Sequence, residues 1–188
     1  MILPVYVYGW PLLRKKCEEI SPDYPDLQQL IGNMFETMYT AEGVGLAAPQ
    51  IGKNIRLIVI DGSPMADPDD ANDPLHGFKK VFINPTITER GGGEEADTEG
   101  CLSIPKIRES VKRPTRIQID YTDENFQPHS ECFEGVSARI IQHEYDHIEG
   151  IMFIDKISPL RRKLISTKLN AIAKGRIDCS YKVKIFKK

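Results

Sequence analysis

His143-Glu144-Tyr145-Asp146-His147 places two imidazoles four residues apart, with a carboxylate beside the first. On a helix, an i, i+4 spacing brings both rings to one face about a turn apart. There they can hold one cation, and Glu144 can reach a water on it. Half of the chain's four histidines fall in this one turn, so a pair of ordinary surface histidines explains the pattern poorly. A catalytic site of this type needs a third protein ligand and an open fourth position. No histidine follows His147, and residues 156–188 contain no Glu, so both usual downstream ligands are missing. The third ligand must come from upstream.

Glu99-Gly100-Cys101-Leu102-Ser103-Ile104-Pro105 offers one. A thiolate is a stronger ligand than the nearby carboxylates, and Cys101 lies in a Gly-containing approach to a strand. A lone Cys is ordinarily a small buried hydrophobe; beside an HExxH turn lacking a ligand that reading weakens. A third segment, Gly43-Val44-Gly45-Leu46-Ala47-Ala48-Pro49-Gln50-Ile51-Gly52, lacks the Lys and the spacing of a phosphate loop. Its informative member is Gln50, a polar amide among small apolar residues, which needs a partner that a substrate oxygen can supply.

Several elements must position these residues. Leu27, Leu30, Ile31, Met34, Phe35 and Met38 recur at three- and four-residue steps up to Gly43 and predict an amphipathic helix. Arg56 to Asp61 reads as a buried strand, and Val81 to Arg90, Ile107 to Arg113 and Thr115 to Thr122 read as further strands. Gly91-Gly92-Gly93 reads as a mobile connection and Asp61 to Lys80 as a surface loop. Val136 to Glu149, free of Pro and Gly, predicts the helix that carries HExxH. Ser158-Pro159 is an N-cap with Pro at the first helical position, and Leu160, Leu164, Ile165, Leu169 and Ile172 predict the buried face of a last helix. The expected fold is α+β. Mixed, mainly antiparallel strands pack around the central HExxH helix, with an N-terminal and a C-terminal helix, in one domain spanning 1–188.

The chain has 188 residues, is 40% hydrophobic and carries a formal net charge of -2, a balance that excludes intrinsic disorder. It contains no apolar run of membrane-spanning length and begins without a basic leader, so a cytoplasmic location without membrane contact is expected. Four cysteines without a CxxC pair point to reduced thiols. Residues 156–188 hold eleven Lys/Arg against the single acid Asp178, net +10, which leaves net -12 for the rest. A basic C-terminal segment of this kind suits an anionic partner, although it also suits a solvated helix face.

Taken together and in this order, GVGLAAPQIG, EGCLS and QHEYDH resemble the three signature motifs of the peptide deformylases. The resemblance extends from Ile2-Leu3-Pro4 and Pro11 to Lys16 through the last helix. The departures are Trp10 before Pro11, Ile148 after the second His, and a longer Asp61 to Lys80. The resemblance implies a monomeric metallohydrolase that removes the formyl group from the N-terminal formyl-methionine of nascent polypeptides. It implies one divalent cation, ferrous iron with zinc or nickel as substitutes, held by Cys101, His143 and His147. Glu144 would be general base and acid, and the Gln50 side chain and the Leu102 N–H would be oxyanion donors. Val44, Gly45, Glu99, Gly100, Arg139 and Ile140 would contact substrate. Other classes sharing HExxH are a metalloendopeptidase and a closed structural metal module with Cys132, His129 or Asp146 as fourth ligand.

Overall fold

The computed structural model describes residues 1–187. Helix α1, Leu27–Thr40, follows from the spacing of its apolar residues: Leu27, Ile31, Met34 and Met38 are all buried. It stops three residues before Gly43, because Glu42 turns into the left-handed region and the Gly43 N–H bonds back to the Met38 carbonyl at 2.9 Å.

Strands β2 (Gly45–Ala47), β3 (Leu57–Asp61), β4 (Lys79–Cys101), β5 (Ile104–Thr122) and β6 (Pro128–Glu134) form one antiparallel sheet in the order of the chain. A further pair, β1 (Val5–Tyr6) and β7 (Val183–Lys184), is parallel and separate from it. The apolar run of β3 is divided by the two-residue period of a strand. Leu57 and Val59 pack with Met34 and Met38 of α1. Ile58 and Ile60 face Phe82, Ile117 and Phe133 of the sheet and Ile141 and Ile148 of helix α2, Gly135–Ile148. Both faces of β3 are therefore covered, which is why it carries no polar alternation.

Three expectations are corrected here. Gly91-Gly92-Gly93 is not a connection: it is an irregularity within the 23-residue β4, where the register shifts between the Gly91–Arg116 and Glu94–Pro114 pairs. A Cβ on Gly92 would lie 2.2 Å from the Thr115 hydroxyl, so glycine lets the two strands stay paired through the bend. Likewise Ile107–Arg113 and Thr115–Thr122 are one strand running through Pro114, not two. In helix α3, Pro159–Ala173, Ser158 caps the N-terminus as expected, its hydroxyl accepting from the Arg161 N–H at 3.2 Å. Ile165, Leu169 and Ile172 bury against Val7, Ile104 and Phe153, but Leu160 and Leu164 are 67% and 64% exposed. They occupy the neighbouring row of the helix, about 100° from the buried one.

Asp61 to Lys80 is the expected surface excursion, pinned by buried Leu75 and Phe78. Among the described residues, no helix is long and apolar enough to cross a membrane.

Candidate active site

Cys101, His143 and His147 converge although two of them come from one helix and the third from the end of β4. One ligand atom from each lies within 4.8 Å of the others, and the Cys101 Sγ is 3.2 Å from His147 Nε2. The two imidazoles sit on one face of α2, as their spacing requires, with ring centroids 5.2 Å apart. This is a thiolate and two imidazoles in a nearly dry setting, a donor set suited to a divalent transition metal with a position left open. Beside it the buried Glu144 Oε2 has no hydrogen-bond partner among the described residues. A carboxylate oxygen in that state destabilises the fold unless something within the site uses it. Burial pushes its pKa up to about 7, against the pull of His143 and Arg113.

Glu144 fits because Gly45 has no side chain. A Cβ at Gly45 would stand 2.5 Å from Glu144 Oε1 and 2.8 Å from its Cγ and Cδ. Gly45→Ala is therefore expected to displace the carboxylate and lower turnover about ten- to a hundred-fold, with metal content unchanged. Steady-state kinetics alongside metal analysis checks this, and unchanged turnover would show that the carboxylate's position is not critical.

Behind the Cys–His–His group lies a buried ionic network that no local sequence pattern announces. Glu99 accepts from His143 Nδ1 at 2.9 Å and so leaves the Nε2 edge of that ring for the cluster. Arg113, 2% exposed, grips both Glu99 oxygens through Nε and Nη2 at 2.5 and 2.8 Å, and its Nη1 donates to Asp146 at 2.7 Å. Burial pushes the Glu99 carboxyl up, but hydrogen bonds from Arg113 and His143 outweigh this and hold it well below the usual carboxylate range. Burial opposes protonation of His143, and the Cys101 and Glu99 side chains beside it reverse that. His147, by contrast, is held low by burial and by cationic His143 and Arg113.

Gln50 lies in a 3-10 turn, Ala48–Ile51, and is 1% exposed. The Ala47 N–H donates to its Oε1 at 2.8 Å, which fixes the orientation of the amide. Its Nε2 then faces the cluster, donating to Ser103 Oγ at 3.2 Å and lying 3.6 Å from Cys101 Sγ. The buried amide thus has partners within the chain, so the need for a substrate oxygen inferred from the sequence does not hold as an argument. Leu102 follows Cys101 in the turn between β4 and β5 and packs against Gly43, where a Cβ would meet its Cδ1 at 2.9 Å.

The remaining expected contacts divide. Val44 and Gly45 lie at and beside β2, the edge strand of the sheet, whose outer side is unpaired in the sheet order. Gly100 pairs with Arg108 on β5. The Glu99 side chain is fully engaged by Arg113, Arg139 and His143, so it orients the His143 ring instead of presenting a free carboxylate. Arg139 is no solvated helix residue: it donates to Glu99 Oε1, the Val111 carbonyl and the Glu95 carbonyl at 2.8–3.0 Å, tying α2 to the β4–β5 hairpin. Ile140 is 7% exposed in the core around Ile58 and Phe82. Asp146 is held by Arg113 and by Lys156 at 3.4 Å, His129 by Asp123 at 3.0 Å, and Cys132 is exposed on β6. None of the three joins the Cys–His–His group, so the closed four-ligand module is not favoured.

The fold and site together define a metallohydrolase class: an α+β scaffold in which helix α2 carries HExxH and the sheet brings a cysteine beside it. A family model described as polypeptide deformylase matches residues 2–163. The chain is 52% identical over 188 residues to the peptide deformylase of Christiangramia forsetii, covering 98% of this chain and 96% of that protein. It is 50% identical over 192 residues to that of Flavobacterium psychrophilum, covering 100% and 99%. Among solved structures it is similar to a peptide deformylase from Legionella pneumophila, at 36% identity and TM-score 0.80 over 94% of this chain and 98% of that one. A Plasmodium falciparum peptide deformylase in complex with an inhibitor superposes at 34% identity and TM-score 0.77, over 90% and 99%. The chain belongs to the peptide deformylase family. It is a metal-dependent hydrolase that removes the N-formyl group from nascent peptides.

Proposed function

We propose that Cys101, His143 and His147 hold the cation of this deformylase and that Glu144 moves the proton. The observation that carries this is the buried Glu144 Oε2, without a hydrogen-bond partner among the described residues, beside a convergent thiol and two imidazoles. When bound, the divalent cation supplies a Lewis acid that polarises the formyl oxygen and acidifies water at neutral pH. Glu144 takes a proton from the attacking water and delivers it to the departing amine, acting as base and then as acid. As the formyl carbon becomes tetrahedral, Gln50 Nε2 and the Leu102 N–H donate to the oxygen on which charge collects. Val44 and Gly45, at the sheet edge, pair with the extended peptide as an added strand. That mode accepts many sequences after methionine. Gly100 continues the cleft opposite them, Glu99 acts through His143, and Arg139 and Ile140 support its wall.

Formate release from formyl-Met-Ala-Ser, measured with and without chelator, tests the assignment. Release that is untouched by chelation would overturn the metal assignment. Family resemblance points to ferrous iron, with zinc or nickel as substitutes, and metal analysis of anaerobically purified protein decides among them. We read residues 1–188 as one domain working as a monomer, as the family resemblance implies. The expected location is cytoplasmic, where formylated chains are made.

We further propose that α3 holds the enzyme at the ribosome. Arg161 and Arg162 are a poor choice for that contact, since Arg161 grips both oxygens of buried Glu109 at 2.9 Å and Arg162 pairs with Asp155 at 3.0 Å. Lys163 and Lys168 make no ion pair among the described residues and lie on the helix that exposes Leu160 and Leu164. Reversal of both to Glu is expected to abolish co-sedimentation with ribosomes at low salt while activity on short formyl peptides stays normal. Undiminished co-sedimentation would leave α3 as a solvated face.

A further inference from the structure

The matched family segment ends at residue 163, yet residues 176–187 run back to the active site. The tail lies parallel to the N-terminal strand: the Val5 N–H donates to the Lys182 carbonyl at 2.9 Å, and the Val7 N–H to that of Lys184 at 3.2 Å. Trp10, the residue that departs from the family pattern before Pro11, is built into this junction. Its indole N–H donates to the Lys184 carbonyl at 2.8 Å, and its ring lies between Tyr6 and Phe186, with centroids 4.5 and 5.1 Å away. At Gly175, where the tail leaves α3, φ is +74° and a Cβ would meet Ile185 Cδ1 at 2.5 Å. The tail is thus packed from both ends.

What it reaches is the turn between β4 and β5. The Tyr181 hydroxyl donates to the Leu102 carbonyl at 2.8 Å, and the Tyr8 N–H donates to the next carbonyl, that of Ser103, at 2.8 Å. Two consecutive peptide oxygens after Cys101 are therefore fixed from outside the turn, one by the tail and one by the segment the tail packs on. Burial pushes the Tyr181 phenol up, which keeps it a donor at neutral pH.

We propose that the tail is part of the active-site scaffold and that Tyr181 is a positioning residue for deformylation: it holds the Leu102 carbonyl, in the peptide unit next to the one that carries the Leu102 N–H, and so fixes the turn that aims this N–H at the developing oxyanion. This rests on the reading of Leu102 as an oxyanion donor. A fixed turn stabilises the transition state more than the ground state, because charge reaches the oxygen only as the carbon becomes tetrahedral. Its loss should therefore appear in kcat and not in KM.

The test uses the full-length enzyme loaded with one metal throughout. For Tyr181→Phe we expect kcat on formyl-Met-Ala-Ser to fall about five- to ten-fold with KM within about two-fold, the scale of one hydrogen bond. Melting temperature should stay within about 2 °C. Amide exchange at residues 102–104 should become faster, a readout that does not depend on turnover. Trp10→Phe, which loosens the tail without touching Leu102, should lower kcat in the same sense. Unchanged kcat in Tyr181→Phe would overturn the proposal, as would a fall in kcat that only tracks lost thermal stability. Gln50→Ala separates the two readings. If it lowers kcat and Tyr181→Phe does not, the tail's role fails and the oxyanion site stands; if neither lowers kcat, the oxyanion reading itself fails.

Discussion

Glu144→Gln is expected to leave the cation bound and the fold intact while turnover drops about 10²–10⁴-fold, the range for a lost general base. The geometry makes this substitution unusually clean. The side chain is isosteric, so the close approach over Gly45 is preserved. One carboxylate oxygen has no partner among the described residues, so folding loses no hydrogen bond there. A buried carboxylate without a partner destabilises the protein, and the neutral amide should raise thermal stability slightly even as activity disappears. That opposite movement of stability and turnover distinguishes a catalytic group from a structural one. Metal content, melting temperature and formate release measured on one preparation settle it; near-normal turnover would remove Glu144 from the mechanism.

Much of this site was legible because its chemistry depends on local spacing. His143 and His147 announce themselves by a helical period, and the run Val136 to Glu149, without Pro or Gly, predicts the helix found over Gly135–Ile148. Gly45 was singled out as a backbone contact, yet the steric reason for it, Glu144 lying against its α-carbon, is a contact between residues 99 positions apart that no local pattern encodes. The same limit explains the sheet. Gly91-Gly92-Gly93 carries a turn signature by composition, and only its partner Thr115 makes it a bend inside a strand. Strand β7 did leave a trace, since Tyr181, Val183 and Ile185 alternate with Lys182 and Lys184. Reading that segment only for its charge concealed the period of two. Leu160 and Leu164 show the reverse error: helical spacing identified them as apolar, but which row of α3 faces the core is set by Val7, Ile104 and Phe153.

Arg113 is the residue whose importance was least visible, and Arg113→Met should damage the fold itself, which Glu144→Gln leaves intact. In sequence the period of two places it on the face of Ile107 and Val111, but a lone basic residue there gives no sign of the carboxylates from distant segments that it joins. In the fold it is 2% exposed and is the cation that both Glu99 and Asp146 share. Removing it leaves two buried carboxylates, Glu99 with Arg139 and His143 beside it and Asp146 with Lys156, and loss of one partner from such a network costs about 3–5 kcal/mol. Glu99 would also lose the grip that aims it at His143 Nδ1, so metal affinity should fall about 10–100-fold. A double variant separates these effects. Arg113→Met with Glu99→Met removes one of the stranded charges and should recover part of the stability. It cannot recover metal affinity, because His143 then has no acceptor to fix its ring. Chemical denaturation together with metal titration reads both quantities. If the double variant regained affinity along with stability, the network would serve folding alone and the orientation of His143 would have to come from α2 itself.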